Sequence, residues 1–129
     1  MKFLLDTHIW IWSITESHRL RPRVRDELQS PQNELWLSPV SLWEALLLNR
    51  KGRIRLPADL DSWLARATPN MREAPLTYEI VLAAHRLPLR HNDPADRFLA
   101  ATAGVLGLTL ITADERLLGL GEIATLANR

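Results

Sequence analysis

The sequence has 129 residues, of which 47% are hydrophobic and 24% are charged, a length and balance typical of one globular domain. The absence of cysteine excludes a disulfide framework, a thiolate metal site and a thiol nucleophile, so any metal ligands must be oxygen or imidazole groups. The net charge is +1, and no apolar stretch approaches the length of a membrane span. Because Asp6 interrupts the N-terminal apolar run too early for a signal peptide, we expect a cytoplasmic protein with no membrane contact.

The small net charge is unevenly distributed along the chain. Residues 1–55 contain nine Lys or Arg against six acids, whereas residues 56–129 contain seven against nine. The basic surplus lies in two clusters: Arg19, Arg21, Arg23 and Arg25, then Arg50, Lys51, Arg53 and Arg55. For any single arginine, a solvated surface is the simpler interpretation. The two clusters together, rich in arginine that binds phosphate through two hydrogen bonds, indicate a polyanion as a second interpretation.

Apolar runs and helix-start signals alternate along the first two thirds of the chain. A short apolar strand over residues 2–5 is stopped by Asp6, and a helix over 9–14 follows. A helix over 22–28 and a strand over 34–38 come next, followed by a helix from Pro39 to Gly52 with Trp43, Leu46 and Leu47 on its apolar face. The next helix covers 58–67, with Leu60, Trp63 and Leu64 on its apolar face. An edge strand over 71–75 and a helix that is capped by Thr77 and runs to Arg86 complete this part of the chain.

The last third of the chain continues the same alternation. Residues 89–92 form a connector, and Asp93 followed by Pro94 is a typical helix start. Residues 98–108 carry no charge, which predicts a largely buried helix. A strand over 108–111, a short helix over 115–118 and a last strand over 123–126 complete the pattern. Strands that alternate with helices favour the α/β class, with a parallel sheet covered on both faces.

Four acidic residues should meet at one edge of this sheet. In a parallel sheet the carboxyl ends of the strands and the first turns of the following helices share an edge, where ligands bind. Asp6 and Asp114 follow strands, and Glu44 lies early in the helix after the second strand. Asp96 lies early in the helix before the fourth strand, and it joins the others if the preceding loop reaches that edge.

Converging carboxylates repel one another, which raises their pKa values and costs stability unless a cation is bound. Oxygen ligands without cysteine suit Mg²⁺, or Mn²⁺ in its place. Such an ion can bind a phosphate oxygen and lower the pKa of a water molecule. The predicted chemistry is therefore metal-assisted hydrolysis of nucleic acid.

Simpler roles stand beside this interpretation. Each of the four acids could only stabilise a helix start, and for Asp93 capping is the stronger explanation. Thr7 and Thr112 could be turn hydroxyls or could orient a ligand. For His8, beside the predicted site, core packing or capping is favoured over contact with substrate, and none of His8, His18, His85 and His91 has the spacing of a metal site. For the five tryptophans, core packing is favoured over base stacking.

Four segments of the sequence resemble the PIN-domain ribonucleases, and more narrowly the VapC toxins of type II toxin–antitoxin systems. They are LLDTHIWIW, SPVSLWEALLL, HNDPADRFLAATA and LTLITADERL, and they occur in the order found in that family. The similarity covers nearly the whole chain. The ordered set, with its Asp-Pro-x-Asp-Arg and Thr-x-Asp motifs, is more specific than any one segment.

The resemblance implies a three-layer α/β/α fold with a central parallel sheet of about five strands, in one PIN domain over residues 1–129. It implies an endoribonuclease that depends on Mg²⁺ or Mn²⁺, with Asp6, Glu44, Asp96 and Asp114 as the metal-binding catalytic acids. It also implies a homodimer, an RNA substrate and inhibition by a cognate VapB-like antitoxin. Two alternatives are a PIN-domain nuclease of RNA maturation and a catalytically silent module that binds RNA or protein.

Overall fold

One five-stranded sheet runs through the protein in a computed structural model that describes residues 1–89 and 93–129. Its strands are β1 (Lys2–Leu5), β2 (Glu34–Leu37), β3 (Met71–Glu73), β4 (Thr109–Thr112) and β5 (Thr125–Ala127). All pairings are parallel, and the spatial order is β3-β2-β1-β4-β5. The predicted parallel sheet is confirmed, and the short strand before Pro75 lies at the sheet edge, as predicted.

Seven helices connect the strands in the described ranges. They are α1 (Thr7–Thr15), α2 (Pro22–Gln29), α3 (Pro39–Arg50), α4 (Leu60–Ala67), α5 (Tyr78–Arg86), α6 (Pro94–Leu106) and α7 (Glu115–Leu118), with a 3-10 turn at Ser17–Arg19. Thr77 and Asp93 cap α5 and α6, as the sequence predicts. Most of the predicted connector at 89–92 lies outside the described residues. No helix among those described is long and apolar enough to cross a membrane.

Side chains on β1 alternate between two cores, one on each face of the sheet. Phe3 and Leu5 pack in the core that α1, α2, α3 and α4 cover, whereas Leu4 packs in the core beneath α6 and α7. This alternation follows from the two-residue period of a strand. Helices cover both faces, as the sequence pattern predicts, and they give the three-layer α/β/α architecture that the family resemblance implies.

The order of strands places a crevice at the carboxyl end of β1. The chain adds β2 and β3 on one side of β1 and then returns to add β4 and β5 on the other. A reversal of this kind opens a ligand crevice beyond the strand ends. The Asp6 backbone N–H donates to the Ile111 carbonyl oxygen at 3.0 Å, which holds the start of α1 against the end of β4.

Two of the predicted apolar helix faces are wrong in part. Trp43 is 51% exposed and Leu60 is 41% exposed, although helical spacing places both with core residues. The buried face of α3 consists instead of Ser41 and Ala45, both completely buried. Of the five tryptophans only Trp10 is fully buried, with its indole N–H donating to the Ala67 carbonyl oxygen at 2.8 Å.

Candidate active site

Five acidic side chains line one cavity of about 360 Å³ beyond the carboxyl ends of β1 and β4. Four are the predicted acids, and the fifth is the helix cap before α6; together they are Asp6, Glu44, Asp93, Asp96 and Asp114. Strands, helix starts and the α5–α6 connection all contribute to this one edge. The predicted convergence of side chains is therefore observed, while their catalytic and metal-binding roles stay a prediction.

Asp6 is both a helix cap and a member of the cavity. It is only 7% exposed, and its Oδ1 accepts the Thr7 backbone N–H at 2.7 Å at the start of α1. Its Oδ2 accepts the Thr112 hydroxyl at 2.6 Å. The same Thr112 oxygen accepts the Asp114 backbone N–H at 3.0 Å, so one hydroxyl links two of the acids. Capping and site membership are thus compatible roles.

Glu44 is held by a hydroxyl from the first turn of α1. Thr7 is completely buried, and its Oγ1 donates to Glu44 Oε1. The same oxygen lies 3.0 Å from the hydroxyl of Ser41, which is also completely buried. Because Ser41 and Glu44 are three residues apart on α3, Thr7 fixes the rotation of that helix relative to α1.

Asp96 reaches the cavity because the chain before α6 is tied to α5. The Arg97 guanidinium donates to the carbonyl oxygens of Ala84, Leu87 and Leu89 at 2.9–3.1 Å. Asp93 then caps α6, with Oδ1 accepting the Ala95 backbone N–H at 3.0 Å. The prediction for Asp96 also assumed a preceding loop at the same edge; residues 90–92 of that loop lie outside the described residues, and Asp93, which follows them, lines the cavity.

Asp114 carries a contact that the sequence analysis missed. Its two carboxylate oxygens accept hydrogen bonds from Nε and Nη2 of Arg116, at 3.2 and 2.9 Å. Arg116 Nη2 also lies 3.5 Å from Asp96 Oδ2. The direction of an arginine two residues after a helix cap depends on where the helix lies in the fold. In the sequence, the only feature that could have predicted this contact was the closeness of Arg116 to Asp114 in the chain.

Burial and mutual repulsion disfavour the ionised forms of Asp6 and Glu44. Burial raises the pKa of Asp6, against the lowering effect of hydrogen bonds from Thr112 and Thr7. Burial also raises the pKa of Glu44, and the negative charges of Asp6, Asp93 and Asp96 add to that effect. The cavity therefore concentrates negative charge that a cation would relieve.

These donors fit a hard divalent ion. Within residues 1–89 and 93–129, no three acidic or histidine side chains already stand together as direct metal ligands. Mg²⁺ requires no such cage, because it keeps several water ligands and is bound directly by only one or two carboxylates. Carboxylate oxygens around a cavity with space for water match that preference, and the lack of cysteine disfavours softer metals.

His8 stands at the rim of the cavity, and the prediction of core packing or capping for it is wrong. The side chain is exposed, and its ring contacts Trp12 with centroids 5.8 Å apart. Arg19 covers the same indole, with its guanidinium carbon 4.9 Å from the ring centroid. His18 and His85 are exposed outside the cavity, and His91 lies outside the described residues.

The two basic clusters are mostly solvent-exposed, with one exception. Arg25 is half-buried, its Nη2 donates to the Leu20 carbonyl oxygen at 3.2 Å, and its Nε is buried without a hydrogen-bond partner. Arg25 therefore supports the segment before α2. The other cluster members are available for contact with solvent or a polyanion.

Comparisons with known proteins agree with this architecture. The profile of the PIN domain family matches residues 3–123. Ribonuclease VapC22 of Mycobacterium tuberculosis (strain ATCC 25618 / H37Rv) is 33% identical over 115 residues, which cover 88% of each chain.

Solved structures resemble the fold over its whole length. The DNA-bound VapBC of Salmonella typhimurium superposes with a TM-score of 0.74 at 17% identity, over 100% of this chain and 99% of that one. VapBC-5 of Mycobacterium tuberculosis superposes with a TM-score of 0.62 at 20% identity, over 99% and 98%. At these identities the likeness establishes the fold, and the ribonuclease relative and the family profile establish the family.

Proposed function

Because this chain belongs to the PIN domain family, we propose that it is the toxin of a type II toxin–antitoxin system, an endoribonuclease that hydrolyses RNA phosphodiester bonds with a divalent metal ion. We treat residues 1–129 as one PIN domain that acts in the cytoplasm. The observation that carries the proposal is the single cavity into which five acidic side chains converge, two of them with raised pKa values. A silent binding module would gain nothing from this costly arrangement.

Asp6, Glu44, Asp96 and Asp114 are the residues that would hold Mg²⁺, or Mn²⁺ in its place. When bound, the ion supplies a ligand position for a phosphate oxygen and lowers the pKa of a water molecule. The chain supplies the orientation of the ligands, through Thr112 on Asp6 and Thr7 on Glu44. Asp93 has a supporting role, because its Oδ1 caps α6 while its charge raises the pKa of Glu44.

Glu44 is the side chain best placed to accept a proton. Its Oε1 accepts the Thr7 hydroxyl, and its side chain lines the cavity. A carboxylate with a raised pKa is a stronger base than an ordinary one. We assign to Glu44 the removal of a proton from the attacking water, in addition to its part in holding the ion.

The partners that we propose are RNA, a VapB-like antitoxin and a second copy of this chain. An apolar groove of about 540 Å³ runs between α3 and α6, lined by Trp43, Leu47 and Phe98, and it shares Glu44 and Asp93 with the acidic cavity. An antitoxin segment with apolar side chains and an arginine could fill the groove and reach the acids. Exposed apolar side chains on α5, among them Tyr78 at 92% exposure, offer a surface to the second copy.

RNA cleavage in the presence and absence of metal tests the enzymatic function. We expect wild-type protein to cleave RNA with Mg²⁺ and to stop in excess chelator, and Asp6→Asn to lower the rate by at least about 100-fold. Asp26→Asn is the matched control, because Asp26 is an exposed acid on α2 that lies outside the cavity. Cleavage that survives both chelator and Asp6→Asn would exclude the metal mechanism.

Co-expression tests the proposed partners. A small protein encoded next to this chain should copurify with it and abolish cleavage, and Trp43→Ala should weaken that complex. In its absence, light scattering should give twice the 14.7 kDa mass of one chain. A monomer, or a neighbour that leaves cleavage unchanged, would refute the corresponding part of the proposal.

A further inference from the structure

We propose that Arg116 is a resident counter-cation of the active site, which holds Asp114 and Asp96 and must leave them before either acid can bind a divalent ion. The inference rests on the proposed metal role of these acids. Arg116, which is not one of the acids, would then set the affinity of the site for the ion.

The contacts of Arg116 are those of a chelating group. Two of its nitrogens, Nε and Nη2, donate to the two carboxylate oxygens of Asp114, at 3.2 and 2.9 Å. Nη2 also lies 3.5 Å from Asp96 Oδ2, so one guanidinium connects acids from α6 and from the cap of α7. The planar fork of arginine matches a carboxylate at both oxygens, which a single point charge does not.

Arg116 and a divalent ion cannot both be bound at the side of the cavity formed by Asp114 and Asp96. An ion held by Asp114 or Asp96 would compete with Arg116 for their carboxylate oxygens, and two cations a few ångströms apart repel each other strongly. The opposite side of the cavity is different, because Asp6 and Glu44 are held by the neutral hydroxyls of Thr112 and Thr7. Those hydrogen bonds can remain while the acids bind metal.

Arg116 can leave without disturbing the fold. Its side chain is 56% exposed, so the guanidinium can turn into solvent. The helix that carries it is fixed elsewhere, by Leu117, which is completely buried, and by the Asp114 cap on the Arg116 backbone N–H at 2.9 Å. Once displaced, the guanidinium stays at the cavity rim, where its free donors can bind the phosphate of an incoming RNA.

Calorimetric titration with Mn²⁺, in the absence of RNA, tests the inference on the whole chain. We expect Arg116→Gln to bind Mn²⁺ roughly two- to fivefold more tightly than wild type, because an exposed ion pair no longer competes. Arg129→Gln is the matched control, since Arg129 forms a comparable pair with Glu115 at 2.8 Å outside the cavity. This control should bind Mn²⁺ as wild type does.

A second measurement follows the displacement itself. In wild-type protein, the side-chain Nε–H NMR signal of Arg116 should shift on Mg²⁺ addition, while that of Arg129 stays in place. Equal or weaker Mn²⁺ binding by Arg116→Gln, or an unmoved Arg116 signal in a metal-bound protein, overturns the inference and leaves the proposed function intact. If neither wild type nor Arg116→Gln binds Mn²⁺, the metal mechanism itself is overturned, and the inference with it.

Discussion

At the scale of single residues, the hydroxyls of Thr7 and Thr112 explain how the acids are held. Thr112 donates to Asp6 Oδ2 and accepts from the Asp114 backbone, and Thr7 donates to Glu44. From the sequence alone both could equally be turn hydroxyls, because their partners lie 106 and 37 residues away in the chain. Only the pairing of β1 with β4 and the packing of α1 on α3 decide between the two roles.

If Asp6 is a metal ligand as proposed, replacing Thr112 by Val should lower RNA cleavage by roughly 10- to 100-fold, the usual effect of removing a group that orients such a ligand. Valine keeps the volume of threonine but cannot donate to Asp6 or accept from the Asp114 N–H. Initial rates with saturating Mg²⁺ measure the effect. Thr112→Ser retains the hydroxyl and should recover most of the activity; an equally inactive serine variant would argue against the hydrogen bonds as the cause.

Asp6 should destabilise the metal-free protein at neutral pH. Its ordinary pKa is 3.8 in the unfolded chain, and burial raises it in the fold. Between those two values the folded state holds more protons than the unfolded state, so stability falls as pH rises through this interval and then stays level. Asn lacks this loss and keeps an oxygen for the Thr7 N–H; it gives up only the hydrogen bond from the Thr112 hydroxyl, which its amide nitrogen cannot accept.

In a chelating buffer, Asp6→Asn should therefore melt a few degrees above wild type at pH 7, and the difference should shrink as the pH is lowered towards 4. Thermal unfolding followed by circular dichroism measures both values. A variant that melts below wild type at pH 7, or a difference that grows in acid, would contradict the assignment of this cost to Asp6.

At the scale of secondary structure, helix starts and strands could largely be predicted from the sequence, but the faces of helices could not. Cap residues act locally, so Thr77 and Asp93 could be placed from their neighbours in the chain. The outward position of Trp43 depends on which side of α3 meets the sheet. Periodicity identifies an apolar face but does not reveal whether another helix covers it.

Two tryptophan replacements should separate the buried face from the exposed groove. Trp10→Ala removes a fully buried ring and its hydrogen bond to Ala67, and it should lower the free energy of unfolding by about 3–5 kcal/mol. Trp43→Ala removes a ring that is 51% exposed, and it should cost less than about 1 kcal/mol. Urea unfolding of the two variants gives the comparison, and similar losses would place Trp43 in the core.

At the scale of the whole molecule, chain direction alone brings most of the site together. Parallel strands place Asp6 and Asp114 at one edge, and the helix after β2 adds Glu44, which is why three of the acids could be placed from the sequence. Asp96 required the anchoring of the α5–α6 connection by Arg97, and the contact of Arg116 required the final position of α7. Both depend on tertiary packing that no local pattern encodes.

Metal binding to the assembled site should stabilise the whole fold. With Mg²⁺ at 100 times its Kd, linkage predicts a gain of about 2.7 kcal/mol for wild type and a much smaller gain for Asp96→Asn. Thermal unfolding across a Mg²⁺ titration, with NaCl added to equal ionic strength as the control, measures the gain. Equal stabilisation of both proteins by Mg²⁺ would place the ion elsewhere.

The central position of β1 has a consequence for synthesis on the ribosome. This strand is made first, yet one of its neighbours begins at residue 34 and the other only at residue 109. A nascent chain that ends before residue 109 lacks one side of the crevice and one of its acids. We therefore expect RNA cleavage to begin only after residues 109–114 have been synthesised, which gives an inhibitor already present in the cell time to meet each new copy before it can cut.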